Sequence, residues 1–224
     1  MSLIKDFKDS VIEKYPDFTI SKVGSTSHTN VIRLSKDGTH YIAKSVWFDS
    51  EDSSNEERAQ RAFETEVAVL KMLPDFWNIR YIDSFVSSTG MNRIIVTTEL
   101  PSCPWKDLKP KNYDGVARSI LRQIKWLHDH DIVHGDLELK NILLSCDQMS
   151  ATIIDFEKSK QGAAATAEEK AMDKTRLLSA VKNNLPPFLT TISQILYGRR
   201  ASIGGTRHKR SRQQKRKTQR RKHA

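Results

Sequence analysis

The chain has 224 residues, 38% of them apolar and 29% charged, with a formal net charge of +10. That length buries one substantial core or two small lobes, and the composition is that of an ordinary water-soluble globular protein. No window approaches the roughly 18 consecutive apolar residues of a membrane span, and the opening MSLIKDFKDS lacks a signal-peptide apolar run, so neither a membrane role nor secretion is expected. The charge is placed unevenly: from Arg199 to the end there are 12 Lys/Arg and no acid, leaving 25 Lys/Arg against 27 Asp/Glu before it. A body of net charge −2 therefore carries a strongly basic tail. Cys103 and Cys146 have no metal-type spacing and are too few for a disulfide framework, which predicts two reduced thiols in an intracellular protein, nuclear or cytoplasmic.

In chain order, the first hundred residues read as strands interrupted by one helix. Phe18–Val23, Thr29–Leu34 and Tyr41–Trp47 are β-branched or aromatic runs, punctuated by Gly24 and by Asp37-Gly38, a hairpin signal. A polar acidic loop, DSEDSSNEE, leads into a helix. Ser54 and Glu57 there have the spacing of a capping box. Ala62, Glu66, Val69 and Leu73 fall on one face of that helix, and two further strands are predicted at Ile79–Phe85 and Arg93–Leu100. Beyond Pro101, Val116, Ile120, Ile124 and Leu127 make a helical stripe ending in HDHD. HGDLELKNILL follows, then a short strand at Ala151–Asp155, a helix over Glu168–Lys182 and a shorter one over Phe188–Tyr197. From Gly198 onward the sequence is low in complexity and predicted to be disordered.

The polar positions of His134-Gly-Asp-Leu-Glu-Leu-Lys-Asn141 raise a question of purpose. Leu143-Leu144 and Ile153-Ile154 suit two adjacent strands with a turn at Cys146-Asp-Gln, which would bring Asn141 close to Asp155, with Asp136 on the loop before. Two carboxylates and an amide oxygen form a hard-oxygen set of the kind that holds Mg²⁺ together with phosphates. The spacing alone suits an ordinary Asp/Asn turn equally well. Glu66 sits on the apolar stripe of its helix and Lys44 inside an apolar strand; each would be costly unpaired, so the two are expected to pair. Taken singly, either charge also suits a snorkelling surface position.

These residues together resemble the protein kinase-like superfamily, over about Ile20 to Ala180. His134-Gly-Asp136 with Asn141 is similar to the catalytic-loop pattern H-x-D-x-x-x-x-N, and Asp155-Phe156-Glu157 stands where that family has Asp-Phe-Gly. Tyr41-Ile-Ala-Lys44 resembles the strand carrying the phosphate-binding lysine, and Glu66 the helix glutamate that pairs with it. The resemblance implies an α+β, two-lobed kinase-like fold: an N-lobe over residues 1–100, a reduced helical C-lobe over 101–197, and the tail. It implies an ATP-dependent phosphotransferase, a serine/threonine kinase acting on a protein substrate. Asp136 would take the acceptor's proton, Asn141 and Asp155 would hold Mg²⁺, and Lys44 would meet the α- and β-phosphates of ATP. Lys140 would reach the γ-phosphate, a position that equally suits an exposed loop lysine, and His134 would be structural. Gly24 opens the nucleotide-covering loop. Glu99 and Leu100 would offer hinge backbone to adenine, and Val31, Ala43 and Leu143 would enclose its ring, though each of these three also suits plain core.

The pattern departs from the family in places. Thr26 and Thr29 replace two glycines of the nucleotide-covering loop, Gly135 replaces the arginine usual before the catalytic aspartate, and Glu157 replaces a glycine. That arginine docks a phosphorylated activation loop, so such switching is not expected here. About forty residues of foldable sequence follow Glu157, with no Ala-Pro-Glu, so the usual peptide-docking segment is missing. HGD with a short C-lobe resembles the small atypical kinases of the Bud and Rio groups, in which Asp173 would brace the catalytic loop. HGD with Ile-Asp-Phe-Glu is also similar to aminoglycoside- and choline-type small-molecule kinases, and a pseudokinase adaptor is the remaining alternative. The tail GTRHKRSRQQKRKTQRRKHA has the composition of a nucleic-acid-binding or nuclear-localisation segment, and equally of a solubilising one. Similar ends recur in proteins of large DNA viruses. Oligomeric state is left open.

Overall fold

The computed structural model describes residues 3–25, 29–47 and 53–198. The chain opens with a helix that strand-seeking periodicity passes over, α1 (Leu3–Lys14), whose Phe7 and Val11 lie one turn apart and are buried. Next come β1 (Thr19–Ser25), β2 (Thr29–Lys36), β3 (Thr39–Trp47), α2 (Ser53–Met72), β4 (Tyr81–Val86) and β5 (Asn92–Thr98). The strands form one antiparallel sheet in the order β1-β2-β3-β5-β4. Asp37 and Gly38 both take positive φ, 51° and 75°, and join Lys36 to Thr39 as the two-residue connection expected of Asp-Gly. α2 starts at Ser53, so Ser54 lies inside its first turn rather than ahead of it.

Register decides what each face of this sheet does, because neighbouring side chains alternate sides. Ile32 pairs with Ala43, and Ala43 with Val96; with Leu34 and Ile94 these residues pack under Phe7 and Val11 of α1. Asn92 locks that helix in place by donating from Nδ2 to the Asp6 carboxylate at 2.7 Å and to the Leu3 carbonyl at 3.0 Å. On the opposite face, Val31 pairs with Lys44 and Lys44 with Ile95, and this side meets Val69 and Leu70 of α2.

Past β5 the chain crosses through Glu99–Pro101 into a mainly helical lobe. It contains β6 (Ser102–Cys103), α3 (Tyr113–Asp129), β7 (Ile132–Val133), β8 (Ile142–Ser145), β9 (Ala151–Ile153), β10 (Lys160–Gln161), α4 (Ala167–Asn184) and α5 (Pro186–Tyr197). Val116, Ile120, Ile124 and Leu127 are all buried along α3, as their spacing predicts, and each contributes about 1.5–3 kcal/mol by leaving water. They share a core with Leu177 and Val181 of α4 and Phe188 and Ile192 of α5. Thr166 caps α4 by accepting from the Glu169 amide, and Pro186 opens α5, where its missing N–H costs nothing. Trp77 fastens the two lobes. It is fully buried, donates from Nε1 to the Ile153 carbonyl at 2.7 Å and packs on Trp126 and Phe156.

The architecture is thus the expected two-lobed α+β arrangement. The cysteines correct an expectation: Cys103 and Cys146 are joined in a disulfide across 43 positions, their Cα atoms 4.9 Å apart, rather than standing as separate thiols. β6 folds back onto β8, with Cys103 opposite Leu144, and this brings the two together. Thr26 and the basic tail, residues 199–224, lie outside the described residues. Among the described residues no helix is long and apolar enough to cross a membrane.

Candidate active site

Lys44 stands in the middle of β3 on the face that looks toward α2, and Glu66, only 4% exposed, comes down from that helix to meet it. The ammonium donates to both Glu66 carboxylate oxygens, at 2.9 and 3.2 Å, and also to Asp155, with Glu157 Oε2 at 3.9 Å. An unpaired carboxylate so buried would cost several kcal/mol, about 3–5 when a partner is removed, which accounts for the pairing. Burial disfavours the Lys44 charge, but Glu66, Asp155 and Glu157 outweigh it and hold the ammonium well above its ordinary pKa.

Asp155 follows β9 and Ile154 with φ 70°, a left-handed conformation that aspartate tolerates better than most residues. Such strain persists only where surroundings enforce it. Here the Ile154 amide donates to the Asn141 carbonyl at 2.9 Å, and His134 Nε2 donates to the Ile154 carbonyl at 2.9 Å. His134 Nδ1 accepts from the Asp136 amide at 3.2 Å, so both ring nitrogens are engaged. Burial lowers the pKa of this fully enclosed imidazole, which is therefore a neutral orienting group, as expected.

The loop from His134 to Asn141 is held from below by Asp173 of α4. Its wholly buried carboxylate accepts from the His134 and Gly135 amides at 2.8 and 2.9 Å and contacts His128 Nε2 at 3.1 Å. Asn141 Nδ2 donates to the Asp136 carbonyl at 2.9 Å and to Asp136 Oδ2 at 3.2 Å, which leaves the Asn141 amide oxygen without a protein donor among the described residues. Lys158 Nζ lies 2.9 Å from Asp136 Oδ2, whereas Lys140 turns to Glu138 at 2.9 Å and stays 3.9 Å from Asp136. Burial pushes the Asp136 carboxyl up, but Lys158, Lys140 and Asn141 hold it below the usual carboxylate range.

Lys44, Glu66, Asp136, Asn141 and Asp155 therefore share one cleft between the lobes. Val31 opposes Lys44 on the cleft face, and Gly24 opposes Val31 at a bulge in β1. Leu143 is half-buried opposite Thr152, its neighbours Ile142 and Leu144 turned into the core. Ala43 is a correction. One residue from Lys44 on a strand, it points away from the cleft and is wholly buried beneath α1; Ile42, two residues away, shares the Lys44 face. The Glu99 amide donates to the His40 carbonyl and its carboxylate is clamped by Arg33, with Nε 2.6 Å from Oε2. The Leu100 backbone takes no such contact among the described residues. The sequence motifs single out neither Ile42 nor Lys158, nor Arg176, which donates to the Gly135 carbonyl at 2.5 Å. Strand alternation could have found Ile42; nothing local marks the other two. Beside Asp136 a groove of about 680 Å³ runs along α4, lined by Leu139, Lys140, Met172, Thr175 and Arg176 among others.

Comparison with known proteins agrees with this geometry. The model of the protein kinase domain matches residues 19–178, an interval that holds every cleft residue named above. A cyclin-dependent kinase 4 homolog of Caenorhabditis elegans is 26% identical over 166 residues, covering 67% of this chain and 40% of that protein. The chain thus spans less than half the length of that relative. With a family match across well over half of its residues and the cleft assembled as described, the chain belongs to the protein kinase family.

Proposed function

We propose that the chain is a serine/threonine protein kinase that transfers the γ-phosphate of Mg-ATP to a protein hydroxyl. The convergence of Lys44, Glu66 and Asp155 with the Asn141–Asp136 pair carries this reading. The donor set suits Mg²⁺: the Asp155 carboxylate and the Asn141 amide oxygen are hard ligands, and the oxygen of this 4%-exposed asparagine accepts from no group among the described residues. Bound there with phosphates, the ion would neutralise charge on the triphosphate.

The chain's own groups then divide the work. Lys44, steadied by Glu66, releases Asp155 and meets the α- and β-phosphates. Val31, Ile42 and Leu143 enclose the adenine, and the Leu100 backbone bonds its edge. Asp136 orients the acceptor hydroxyl and takes its proton as the acceptor oxygen bonds to the γ-phosphorus and the bond from that phosphorus to the β-phosphate oxygen breaks, releasing ADP. His134 and Asp173 touch neither substrate and keep the loop in shape. Acceptors would enter by the groove along α4. The tail, with 12 Lys/Arg and no acid, supports an added nucleic-acid contact through phosphate neutralisation.

Purified protein with labelled ATP and Mg²⁺, run beside Asp155→Ala, tests the reading. Label in protein that vanishes in the variant supports it. Label found only in added small alcohols points to a metabolite kinase, and nucleotide binding without turnover to a pseudokinase adaptor.

A further inference from the structure

Phosphoryl transfer spreads negative charge over the oxygens of the moving group, and a cation must stand beside it. The site supplies Lys44, already shared among Glu66, Asp155 and Glu157, for the far phosphates, and the transfer end at Asp136 needs a cation of its own. Two lysines approach there. Lys140 is held by Glu138 at 2.9 Å and lies 3.9 Å from Asp136. Lys158 has Asp136 as its carboxylate partner, at 2.9 Å.

The backbone beneath Lys158 is fixed by independent contacts. Its carbonyl crosses Gly135 so closely that a Cβ at position 135 would sit 2.3 Å from the oxygen. Ser159 Oγ donates to the His134 carbonyl at 3.3 Å, and Lys160 and Gln161 pair with Val133 and Ile132. The lysine is thus mounted on the catalytic loop itself, on the residue that follows Glu157.

We propose that Lys158 is a catalytic residue of the transfer, the cation that receives the moving phosphoryl group. The inference rests on the kinase reading above. A hydroxyl that gives its proton to Asp136 comes within about 3 Å of that carboxylate, and the attacked phosphorus lies about 3–3.5 Å beyond. Both positions are within the sweep of an ammonium already bonded to the same carboxylate. When the phosphate arrives, Lys158 exchanges Asp136 Oδ2 for a phosphoryl oxygen, and the vacated Oδ2 accepts from the hydroxyl. One side chain thereby blocks the base without nucleotide and frees it with nucleotide.

The test compares Lys158→Ala, Lys158→Arg and Lys140→Ala with the unaltered chain, in turnover and in equilibrium binding of ATP and ADP with Mg²⁺. Lys158→Ala is expected to lower kcat about 10- to 100-fold and, by weakening the binding of ATP but not of ADP, to raise the KM for ATP and lower the preference for ATP over ADP about 3- to 5-fold. Lys158→Arg restores most of both, and Lys140→Ala falls short of the Lys158→Ala loss. Unchanged ATP-over-ADP preference in Lys158→Ala overturns the proposal, as does an equal or larger kcat loss in Lys140→Ala. A wild-type chain that binds ATP without turning it over sinks the kinase reading and the catalytic role together, whereas turnover with an unchanged nucleotide preference in Lys158→Ala sinks the Lys158 role alone. A chain that binds neither nucleotide sinks both.

Discussion

Replacing Gly135 with alanine puts one methyl group where the Lys158 carbonyl already is. Gly135 has φ +80°, and the added Cβ would lie 2.3 Å from that oxygen and 3.2 Å from its carbon. Two costs follow. A non-glycine residue in the left-handed region loses about 1–2 kcal/mol. Moving a packed backbone carbonyl, here tied down by the β10–β7 pairing, adds about 1–3 kcal/mol, as overpacking generally does. Gly38→Ala is the matched control, because Gly38 has φ +75° and nothing within 4 Å of its Cβ position. It carries the first cost without the second. In a chain of this size each kcal/mol shifts the melting temperature by about 2–4 °C. Gly135→Ala is therefore expected to melt about 5–15 °C lower than the unaltered chain, and Gly38→Ala about 2–8 °C lower, followed by circular dichroism with urea titrations alongside. Because displacing the carbonyl also displaces Lys158, phosphate transfer should fall in the first variant and hold in the second. Equal destabilisation of the two variants would refute the close-approach argument.

Cys103→Ser, or reduction of the unaltered chain, removes a cross-link over 43 positions and should lower stability by about 4 kcal/mol on the chain-entropy account. Urea midpoints with and without reductant measure this, and a count of two titratable thiols in the unreduced native protein would contradict the bond. Asp173→Asn should cost about 2–3 kcal/mol at neutral pH by weakening charge-assisted bonds to the His134 and Gly135 amides. Burial pushes the Asp173 carboxyl up, but His128 and the two amides hold it below its ordinary value. Its stabilisation is therefore complete above about pH 4 and is lost as pH falls through the depressed folded value, so the gap between variant and parent should close in acid. Deleting residues 199–224 should remove most nucleic-acid affinity and flatten its dependence on salt; a truncated chain with the parental slope would place the contact on the folded body.

Much of the cleft was legible because its chemistry is concentrated at fixed spacings. Lys44 and Glu66 each posed a burial problem with one economical solution, and Asp136, Asn141 and Asp155 flank short strands whose pairing is readable from apolar runs. What escaped was geometry without a local signal. The resemblance of Tyr41-Ile-Ala-Lys44 drew Ala43 into the nucleotide set, while strand alternation puts it under α1 and exposes Ile42 instead. α1, by contrast, carries Leu3, Ile4, Phe7, Val11 and Ile12, with Ile4, Phe7 and Val11 at helical spacing, a signal passed over when the first hundred residues are read for strands. The disulfide depends on β6 folding back onto β8, which no spacing between positions 103 and 146 encodes. Gly135 is legible as an arginine lost, but the reason is spatial: the Lys158 carbonyl occupies the room a side chain would need.

The run that leads from Asp155 to α4 is sewn down almost residue by residue. Lys158 crosses Gly135, Ser159 reaches His134, Lys160 and Gln161 extend a ladder, and the Gly162 amide donates to the Asp131 carbonyl at 2.9 Å. On the proposed kinase reading, this segment would need no separate ordering step before nucleotide binds. Timing would then be set from outside, by when the chain is made and by what is allowed to reach its groove.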